Sequence, residues 1–247
     1  MFGSRDIPQR VAWIANTRFA HRGLHGRGVP ENSLAAFSAA IEAGHGIECD
    51  VQRARDGTPM VFHDWELDRL TDEEGPVAKR DARSLAGIAL KGGEQQRIPT
   101  LADLLELVAG RVPLLIEVKS RKEARVSAHC LAIRRALEGY RGAHGVMSFD
   151  PRVAHWFAAH SPTTLRGLVV SEQDDKALPG RIRRSLAIRH AQPDFLAWDV
   201  RDLPSRLAAA QRRKGRPVAT WTVRTEEQRA RAERYADAPI AEGHGFG

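Results

Sequence analysis

The second half of this chain alternates short apolar runs with helical patterns, and this alternation limits the possible fold more than any other feature. Each run has the length and composition of a buried β-strand, and the intervening segments repeat apolar residues at helical spacing. Such alternation is typical of parallel sheets, because a crossover between parallel strands needs a helix-length connection. The predicted strands are Pro113–Lys119, Gly145–Asp150, Leu165–Ser171, Phe195–Val200, Pro217–Val223 and a weaker Ala238–Glu242.

Two earlier strands, Arg18–Gly23 and Gly46–Gln52, raise the predicted number to eight. Eight β/α units in 247 residues indicate an α/β protein of the (β/α)8 TIM-barrel class. A doubly wound open sheet is the alternative, and it is disfavoured because no GxGxxG motif follows the first strand. We expect a single domain over residues 1–247.

One segment interrupts the regular alternation. Pro59–Asp64 reads as a strand that pairs back on the second strand as a hairpin across the turn Asp56–Gly57. Residues 65–98 are polar and contain several glycines, so we expect a small insertion after the second strand. The regular pattern resumes at Thr100, a predicted helix N-cap with Asp103 three residues later.

The charge of the chain favours anionic partners without choosing among them. The formal net charge is +7 and the sequence pI is about 10.0. Many arginines fall in predicted helices, such as Arg212–Arg216 and Arg229–Tyr235, where solvated helix faces are the favoured explanation. Nucleic-acid binding is not expected, because aromatic residues make up only 6% and no basic patch is interleaved with them. A homo-oligomer remains possible.

Cysteine usage and hydropathy indicate the compartment. Cys49 and Cys130 belong to no CxxC pair, and both are expected to be small buried side chains. The N-terminal stretch has no continuous apolar segment of the kind found in signal peptides, and no run approaches the length of a membrane span. We therefore expect a cytoplasmic protein without an integral membrane segment.

The most informative short motif is GIECD, Gly46–Asp50. Strand side chains alternate between faces, so Glu48 and Asp50 point the same way. Two neighbouring carboxylates on an otherwise apolar strand repel each other, and a fold tolerates this where a cation lies between them. The alternative is an edge strand with one solvated face.

Other segments bring polar side chains to the carboxyl ends of the predicted strands, which is where barrel active sites lie. Glu48, Asp50 and Glu117 offer hard oxygen ligands suited to Mg²⁺ or Ca²⁺, and zinc is less favoured. Positive and titratable side chains accompany them: Arg22, Lys119, His21 and His63, with Trp221 near the end of the seventh strand.

These residue types fit one reaction class. A divalent metal with Arg22 and Lys119 would stabilise charge on phosphoryl oxygens. His21 and His63 would serve as an acid and base pair near neutral pH. We therefore expect phosphodiester cleavage.

A series of motifs, in order along most of the chain, resembles the glycerophosphodiester phosphodiesterase family. A single motif such as HRG would be weak evidence, whereas the set is highly specific. The motifs are AHRG (Ala20–Gly23), PENS (Pro30–Ser33), IECDV (Ile47–Val51), DGTPMVFHD (Asp56–Asp64), IPTL (Ile98–Leu101), LLIEVK (Leu114–Lys119), MSFDP (Met147–Pro151) and WTV (Trp221–Val223).

The resemblance implies a barrel with a small inserted segment and metal-dependent hydrolysis of a glycerophosphodiester to glycerol 3-phosphate and an alcohol. As a mechanistic hypothesis, the glycerol hydroxyl next to the ester attacks phosphorus, and water then opens the resulting cyclic phosphate. Carried over by motif, Glu48, Asp50 and Glu117 would bind the metal, His21 and His63 would be the acid and base, Arg22 and Lys119 would hold the phosphate, and Trp221 would line the glycerol or head-group side.

The C-terminal end departs from the family pattern, because Asp237–Gly243 is short and interrupted by proline, which leaves the eighth strand in doubt. His25 and Asp64 receive no role. Two alternatives remain. A lysophospholipase D-type enzyme would add an apolar groove, to which Leu24, Phe149 and Trp198 could contribute, although core packing is favoured for Phe149 and Trp198. A non-catalytic module that binds anions or membrane surfaces would lack at least one catalytic group.

Overall fold

A computed structural model of the chain describes residues 8–121, 123, 125–173 and 176–246. Residues 1–7 of the N-terminal stretch, and residues 122 and 124 after the strand predicted at Pro113–Lys119, lie outside the described residues. The chain divides into two compact units, Ala20–His144 and the described part of Met1–Phe19 with Gly145–Gly247. The single-domain expectation therefore stays a prediction.

The unit Ala20–His144 is built around the second strand of the chain. The strands are β1 (Phe19–His21), β2 (Gly46–Arg53), β3 (Pro59–Val61) and β4 (Leu114–Val118), and the principal helices are α2 (Leu34–Glu42), α4 (Leu101–Val108) and α5 (Val126–Ala136). β2 pairs in parallel with β4 and antiparallel with β3, which forms the predicted hairpin, and β1 also pairs with β2.

Side-chain caps fix where two of these helices begin. Ser33 accepts a hydrogen bond from the Ala36 amide at the start of α2 and is the N-cap of that helix. Thr100 and Asp103 form the predicted capping box, each accepting a hydrogen bond from the other's backbone N–H. The caps satisfy backbone donors that would otherwise lack partners at the first turn.

The predicted insertion contains short structure and its own apolar cluster. A 3-10 helix at Val77–Lys79 and the short α3 (Ala82–Ala86) lie between β3 and α4. Side chains from the insertion pack with the hairpin, because a segment of this length needs buried apolar area to hold one conformation. The buried members of the cluster include Met60, Phe62, Leu67, Val77, Leu85, Ile88, Leu90 and Ile98.

The other unit contains the regular alternation seen in the sequence. β5 to β9 pair in chain order, all in parallel, and a buried cluster that includes Leu168, Leu196 and Trp198 packs between sheet and helices. The elements are α1 (Ala12–Ala15), β5 (His144–Ser148), α6 (Pro151–His160), β6 (Leu165–Val170), α7 (Leu178–Ala191), β7 (Phe195–Asp199), α8 (Arg206–Arg213), β8 (Val218–Val223), α9 (Glu226–Tyr235) and β9 (Ala238–Ala241).

The fold is the (β/α)8 barrel with a small insertion that the sequence predicts. The doubtful last strand is present: β9 pairs in parallel with β8, Ala238 opposite Ala219. This strand includes Pro239, which lies opposite Thr220 of β8. Asp237, the residue before the strand, forms an ion pair with Arg212, with 2.7 Å between Asp237 Oδ1 and Arg212 Nη2. No helix in the described part of the chain combines the length and the low polarity needed to cross a membrane.

Candidate active site

The carboxylates of the GIECD motif are buried. Every residue of β2 from Gly46 to Gln52 is buried, with Glu48 1% and Asp50 2% exposed. The edge strand with a solvated face is therefore excluded. Ile47 and Cys49, on the opposite face, are completely buried as well. Because buried carboxylates are strongly disfavoured without compensation, their surroundings must supply positive charge or hydrogen-bond donors.

A third carboxylate comes from the neighbouring strand. The parallel register of β2 and β4 places Glu117 beside Asp50, and side chains in register on one face lie close together. One carboxylate oxygen from each of Glu48, Asp50 and Glu117 can be chosen so that all three lie within 4.8 Å of one another. The pairing of β2 with β4 thus brings Glu117 next to Glu48 and Asp50, although it lies far from them in the sequence.

The three carboxyl groups respond differently to this crowding. Burial, with the nearby charges of Asp50 and Glu117, raises the pKa of Glu48 well above its usual range. Burial also raises the pKa of Glu117, against the opposing effect of Lys119. Burial acts the same way on Asp50, but Lys119 and Arg22 outweigh it and lower the pKa of that carboxyl. Asp50 is therefore the carboxyl group of the cluster that loses its proton most readily.

Two cations border the carboxylates. Lys119 Nζ lies 3.1 Å from Glu117 Oε1 and 3.5 Å from Asp50 Oδ1. Arg22 Nε lies 3.1 Å from Asp50 Oδ2, without the alignment of a hydrogen bond, and its backbone N–H donates to Glu48 Oε2 at 3.1 Å. Burial alone would lower the pKa of each cation, but the neighbouring carboxylates raise it, so both stay charged.

A tight turn after β1 aims Arg22 at the cluster. Arg22 and Gly23 both have positive φ, 56° and 80°, and such a conformation is unfavourable for a side chain larger than glycine. A Cβ at Gly23 would come within 2.8 Å of Ala36 in α2, so only glycine fits. The glycine of the AHRG motif thus permits the close approach of β1 and α2 that sets the position of Arg22.

The two predicted histidines belong to the same unit. His21 is buried, with Nε2 3.9 Å from Glu48 Oε2. His63 is half-buried, and its Nδ1 lies 2.6 Å from Asp64 Oδ1. Burial lowers the pKa of His63, with Asp50 opposing this effect. If Nδ1 carries the proton donated to Asp64, Nε2 is the nitrogen left to exchange protons with another group.

A second ring of polar residues, which the sequence analysis did not assign, holds these side chains. Arg69 of the insertion contacts both Asp64 and Glu31, with Nη2 2.7 Å from Glu31 Oε1. Glu31 also accepts from Arg22 Nη1 at 2.8 Å. One guanidinium therefore connects, through two carboxylates, to both His63 and Arg22.

Asn32 supports the cluster directly. Its Nδ2 donates to Asp50 Oδ2 at 3.1 Å, and its Oδ1 accepts from the Asp50 amide at 3.3 Å. Asn32 has a φ of 55°, a backbone conformation that asparagine tolerates better than most residues. The PENS motif, whose Ser33 caps α2, therefore also supplies two residues that hold the charged cluster, Glu31 and Asn32.

Trp221 lies in the other unit, on β8. Its Nε1 donates to the carbonyl of Ala197 at 3.0 Å, and its ring meets Phe149 edge-on, with centroids 5.4 Å apart. Phe149 is 50% exposed, so the expectation that it packs in the core is wrong: it follows β5, where the chain turns into α6. Trp198 is completely buried, as expected for a core residue.

The donor set fits a divalent metal ion. Three buried carboxylates that raise one another's proton affinity form the hard, negatively charged oxygen environment that Mg²⁺ and Ca²⁺ prefer. No histidine or cysteine belongs to this particular set, which disfavours zinc. This cluster can hold a metal ion, and Arg22 and Lys119 beside it present charge to an anion.

The chain matches known proteins over most of its length. The model of the glycerophosphoryl diester phosphodiesterase family matches residues 21–241. A glycerophosphodiester phosphodiesterase of Caldanaerobacter subterraneus subsp. tengcongensis is 43% identical over 108 residues, which is 41% of this chain but only 44% of that protein. The probable glycerophosphodiester phosphodiesterase 2 of Mycobacterium tuberculosis is 31% identical over 222 residues, covering 83% of this chain and 78% of that one.

Solved structures share the fold. A phosphodiesterase of Oleispira antarctica, in complex with its product sn-glycerol-3-phosphate, has a TM-score of 0.80 at 24% identity and covers 94% of each chain. A glycerophosphodiester phosphodiesterase of Thermotoga maritima has a TM-score of 0.73 at 23% identity, over 91% of this chain and 93% of that one. The family match over residues 21–241 and the Mycobacterium tuberculosis relative show that the chain belongs to the glycerophosphoryl diester phosphodiesterase family.

Proposed function

We propose that this protein hydrolyses glycerophosphodiesters to glycerol 3-phosphate and an alcohol. The observation that carries the proposal is the buried cluster of Glu48, Asp50 and Glu117, bordered by Arg22 and Lys119. A phosphodiester carries one negative charge and gains another as it is cleaved, so a site of this kind suits its transition state.

Glu48, Asp50 and Glu117 would hold a divalent metal, Mg²⁺ or Ca²⁺. When bound, such an ion neutralises charge on the phosphoryl oxygens. The metal would also relieve the mutual repulsion that raises the pKa of Glu48 and Glu117.

Arg22 and Lys119 would bind and orient the phosphate. Both are held by carboxylates of the site, Arg22 by Glu31 at 2.8 Å and Lys119 by Glu117 at 3.1 Å. Fixed cations lose little freedom when the substrate arrives, which makes orientation efficient. The planar fork of Arg22 suits two phosphate oxygens, whereas Lys119 acts as a single charge.

His21 and His63 would move the protons. One would accept the proton of the attacking hydroxyl, and the other would donate a proton to the oxygen of the departing alcohol. The attacking group would be the glycerol hydroxyl next to the ester, giving a cyclic phosphate that water then opens. A substrate analogue without that hydroxyl should resist cleavage, and normal turnover of it would contradict this route.

Trp221 would line the glycerol or head-group side, a role carried over from the WTV motif. Cys49 and Cys130 are buried and are not joined in a disulfide, which is consistent with a reducing compartment. A cytoplasmic location and a homo-oligomer stay predictions. The substrate partner would be a small molecule.

The test measures glycerol 3-phosphate release from glycerophosphocholine and glycerophosphoethanolamine. The protein is assayed after EDTA treatment and again with Mg²⁺ or Ca²⁺ restored. His21→Ala and His63→Ala should lower the rate at least about a hundredfold, in the range expected for loss of acid–base catalysis. His160→Ala, an exposed helix position outside the cluster, is the matched control. No release with either metal would refute the proposal.

A second candidate is lysophospholipase D-type hydrolysis. The exposed ring of Phe149 against Trp221 favours it, because an aromatic surface could contact an acyl chain. Lysophosphatidylcholine is assayed beside glycerophosphocholine. If this candidate is correct, Phe149→Ala lowers turnover of the lysophospholipid more than turnover of the deacylated substrate. Equal effects on both would leave glycerophosphodiesters as the substrates.

A further inference from the structure

α7 exposes an apolar stripe to solvent. Leu178, Ile182 and Leu186 are 65%, 53% and 59% exposed. They are spaced by four residues, so they lie along one side of the helix. Single exposed leucines are ordinary, but three large apolar side chains in a row on one helix mark an interaction surface.

The side chains of the stripe do not pack α7 against the rest of its unit. The opposite side of α7 supplies the buried contacts, with Ile188 and Ala191 in the main apolar cluster of its unit. Arg184 is also buried there and lies 3.4 Å from Glu172. The helix is therefore anchored by one side, and the stripe adds nothing to that packing.

The stripe forms one wall of an open groove. α8 and the segment before it form the other wall, through Pro204, Leu207 and Ala210. The groove has a volume of about 680 Å³, and Arg181 and Arg206 lie along it. An apolar groove with arginines at its border matches the boundary between acyl chains and head groups of a bilayer.

The charge of the two helices selects an anionic partner. α7 carries four arginines and α8 three, and neither helix contains an aspartate or glutamate. Over Glu172–Ala191, which includes the acidic segment before α7, five cations still exceed three carboxylates. Arg181 and Arg189 are exposed on α7 and form no ion pair with any described residue. A second copy of this face would be repelled, whereas anionic lipid head groups would be attracted.

We infer that the α7 face, defined by Leu178, Ile182, Leu186, Arg181 and Arg189, docks on anionic phospholipid bilayers. The apolar stripe enters the head-group boundary, and the arginines extend to the lipid phosphates. Docking of this kind is peripheral and reversible, because the buried apolar area of three side chains is small. It does not depend on the proposed catalytic activity.

The test is co-sedimentation of the full chain with vesicles of phosphatidylcholine alone or of phosphatidylcholine with phosphatidylglycerol. We expect at least about tenfold stronger binding to the anionic vesicles at low salt, falling when salt is raised to about 0.5 M. Binding that is equal on both vesicles, or absent from both, would overturn the inference.

Variants locate the surface. Leu178→Ser with Ile182→Ser and Leu186→Ser should weaken binding to anionic vesicles by about tenfold or more. Arg181→Gln with Arg189→Gln should also weaken it by about tenfold, through loss of charge attraction. Arg134→Gln with Arg135→Gln, on α5, removes the same charge elsewhere and should leave binding unchanged. If the α5 pair has the same effect as the α7 pair, net charge and not this face causes the binding.

Two controls keep the result interpretable. Circular dichroism and urea unfolding check that the α7 variants are folded. Sedimentation velocity without lipid tests the competing occupant, a second copy of the chain. A wild-type dimer that the three serine substitutions convert to monomer, together with unchanged lipid binding, would assign the face to self-association and overturn the inference.

Discussion

Arg69 links two carboxylates that contact residues of the candidate site. It lies in the insertion and joins Asp64 and Glu31, which in turn hold His63 and Arg22. No single one of these contacts is unusual, and Arg69 itself is half-exposed. The chain of contacts matters because the rates of reactions at an enzyme site are sensitive to displacements of about 1 Å.

Replacing Arg69 should therefore impair catalysis more than stability. Arg69→Gln is expected to lower kcat for glycerophosphocholine by about tenfold or more, because His63 and Arg22 lose their shared support. Arg69→Lys should not restore the rate, since one ammonium cannot contact two carboxylates in the fork geometry. The measurement is kcat and KM together with urea unfolding.

The matched control is Arg80→Gln, another arginine of the same insertion, which pairs with the exposed Glu73. It should leave kcat unchanged. A loss of rate in Arg80→Gln equal to that in Arg69→Gln would mean that the insertion acts through its general folding rather than through the contacts of Arg69.

His129 gives the protein a defined pH dependence of stability. Its ring is buried on α5, with Nε2 3.3 Å from the carbonyl of Val51. Burial lowers the pKa of His129 to about 4, against a weaker opposing effect of that hydrogen bond. The folded state thus favours the neutral ring, whereas the unfolded chain binds a proton near pH 6.5.

The resulting stability is fully present above about pH 6.5 and is lost as the pH falls toward 4, by up to about 3 kcal/mol. Urea unfolding of the wild type at pH 7 and about pH 5 should show the loss. His129→Gln keeps a donor for Val51 and should flatten that part of the profile, whereas exposed His160→Gln should not. A wild-type profile that His129→Gln leaves unchanged would contradict this account.

At the scale of elements, the capping box of α4 fixes the junction between the insertion and the regular barrel pattern. Thr100 and Asp103 satisfy each other's backbone N–H groups. Four apolar residues of the helix are buried: Leu101, Leu104, Leu105 and Val108. The cap therefore sets the starting point of a helix whose buried face cannot shift without exposing leucine.

Removing the cap should destabilise the protein measurably. Thr100→Ala is expected to lower the free energy of unfolding by about 1 kcal/mol, because the Asp103 amide loses its acceptor. Arg125→Ala is the control, since Arg125 is the N-cap residue of α5 and makes no side-chain cap. Equal destabilisation by both substitutions in urea unfolding would show that the box contributes nothing specific.

At the scale of the whole molecule, metal binding should be coupled to folding. The carboxylates of the cluster are close together only in the folded chain, so an ion that they bind stabilises the native state. At a free metal concentration of about a hundred times the Kd, the gain is about 2.7 kcal/mol. Thermal unfolding with EDTA and with Mg²⁺ or Ca²⁺ measures it as a rise in Tm.

Glu48→Gln separates the charge repulsion within the metal-free cluster from the stabilisation that a bound metal provides. It removes one repelling charge and keeps an acceptor for the Arg22 amide, so the metal-free protein should gain about 1 kcal/mol. The variant should lose the rise in Tm on adding metal. Glu66→Gln, an exposed carboxylate of the insertion, should preserve both values. A metal response that persists in Glu48→Gln would place the ion elsewhere.

The sequence predicted the fold class correctly, and the charged residues that it singled out around Glu48 lie close together, because both features leave local signals. The catalytic and binding roles of these residues stay predictions. Strand and helix periods differ, so the alternation is visible in the chain, and Glu48 and Asp50 share a face by spacing alone. Phe149 was misjudged because hydrophobicity does not reveal whether a residue after a strand turns inward or outward. Asp64 and Glu31 received no role because the partner of a carboxylate can lie anywhere in the chain, so local sequence does not reveal it.

The sequence by itself determined the order of strands and helices, the small insertion, the Thr100 cap and the set of charged residues proposed to bind and cleave a phosphodiester. These features depend on neighbours within a few positions. Only the tertiary structure decided which of those residues meet. The register of β2 against β4 brings Glu117 to Asp50, and the insertion brings Arg69 to Asp64 and Glu31. The exposure of the apolar stripe on α7 was also visible only in the tertiary structure, because the burial of a side chain depends on the packing of distant segments.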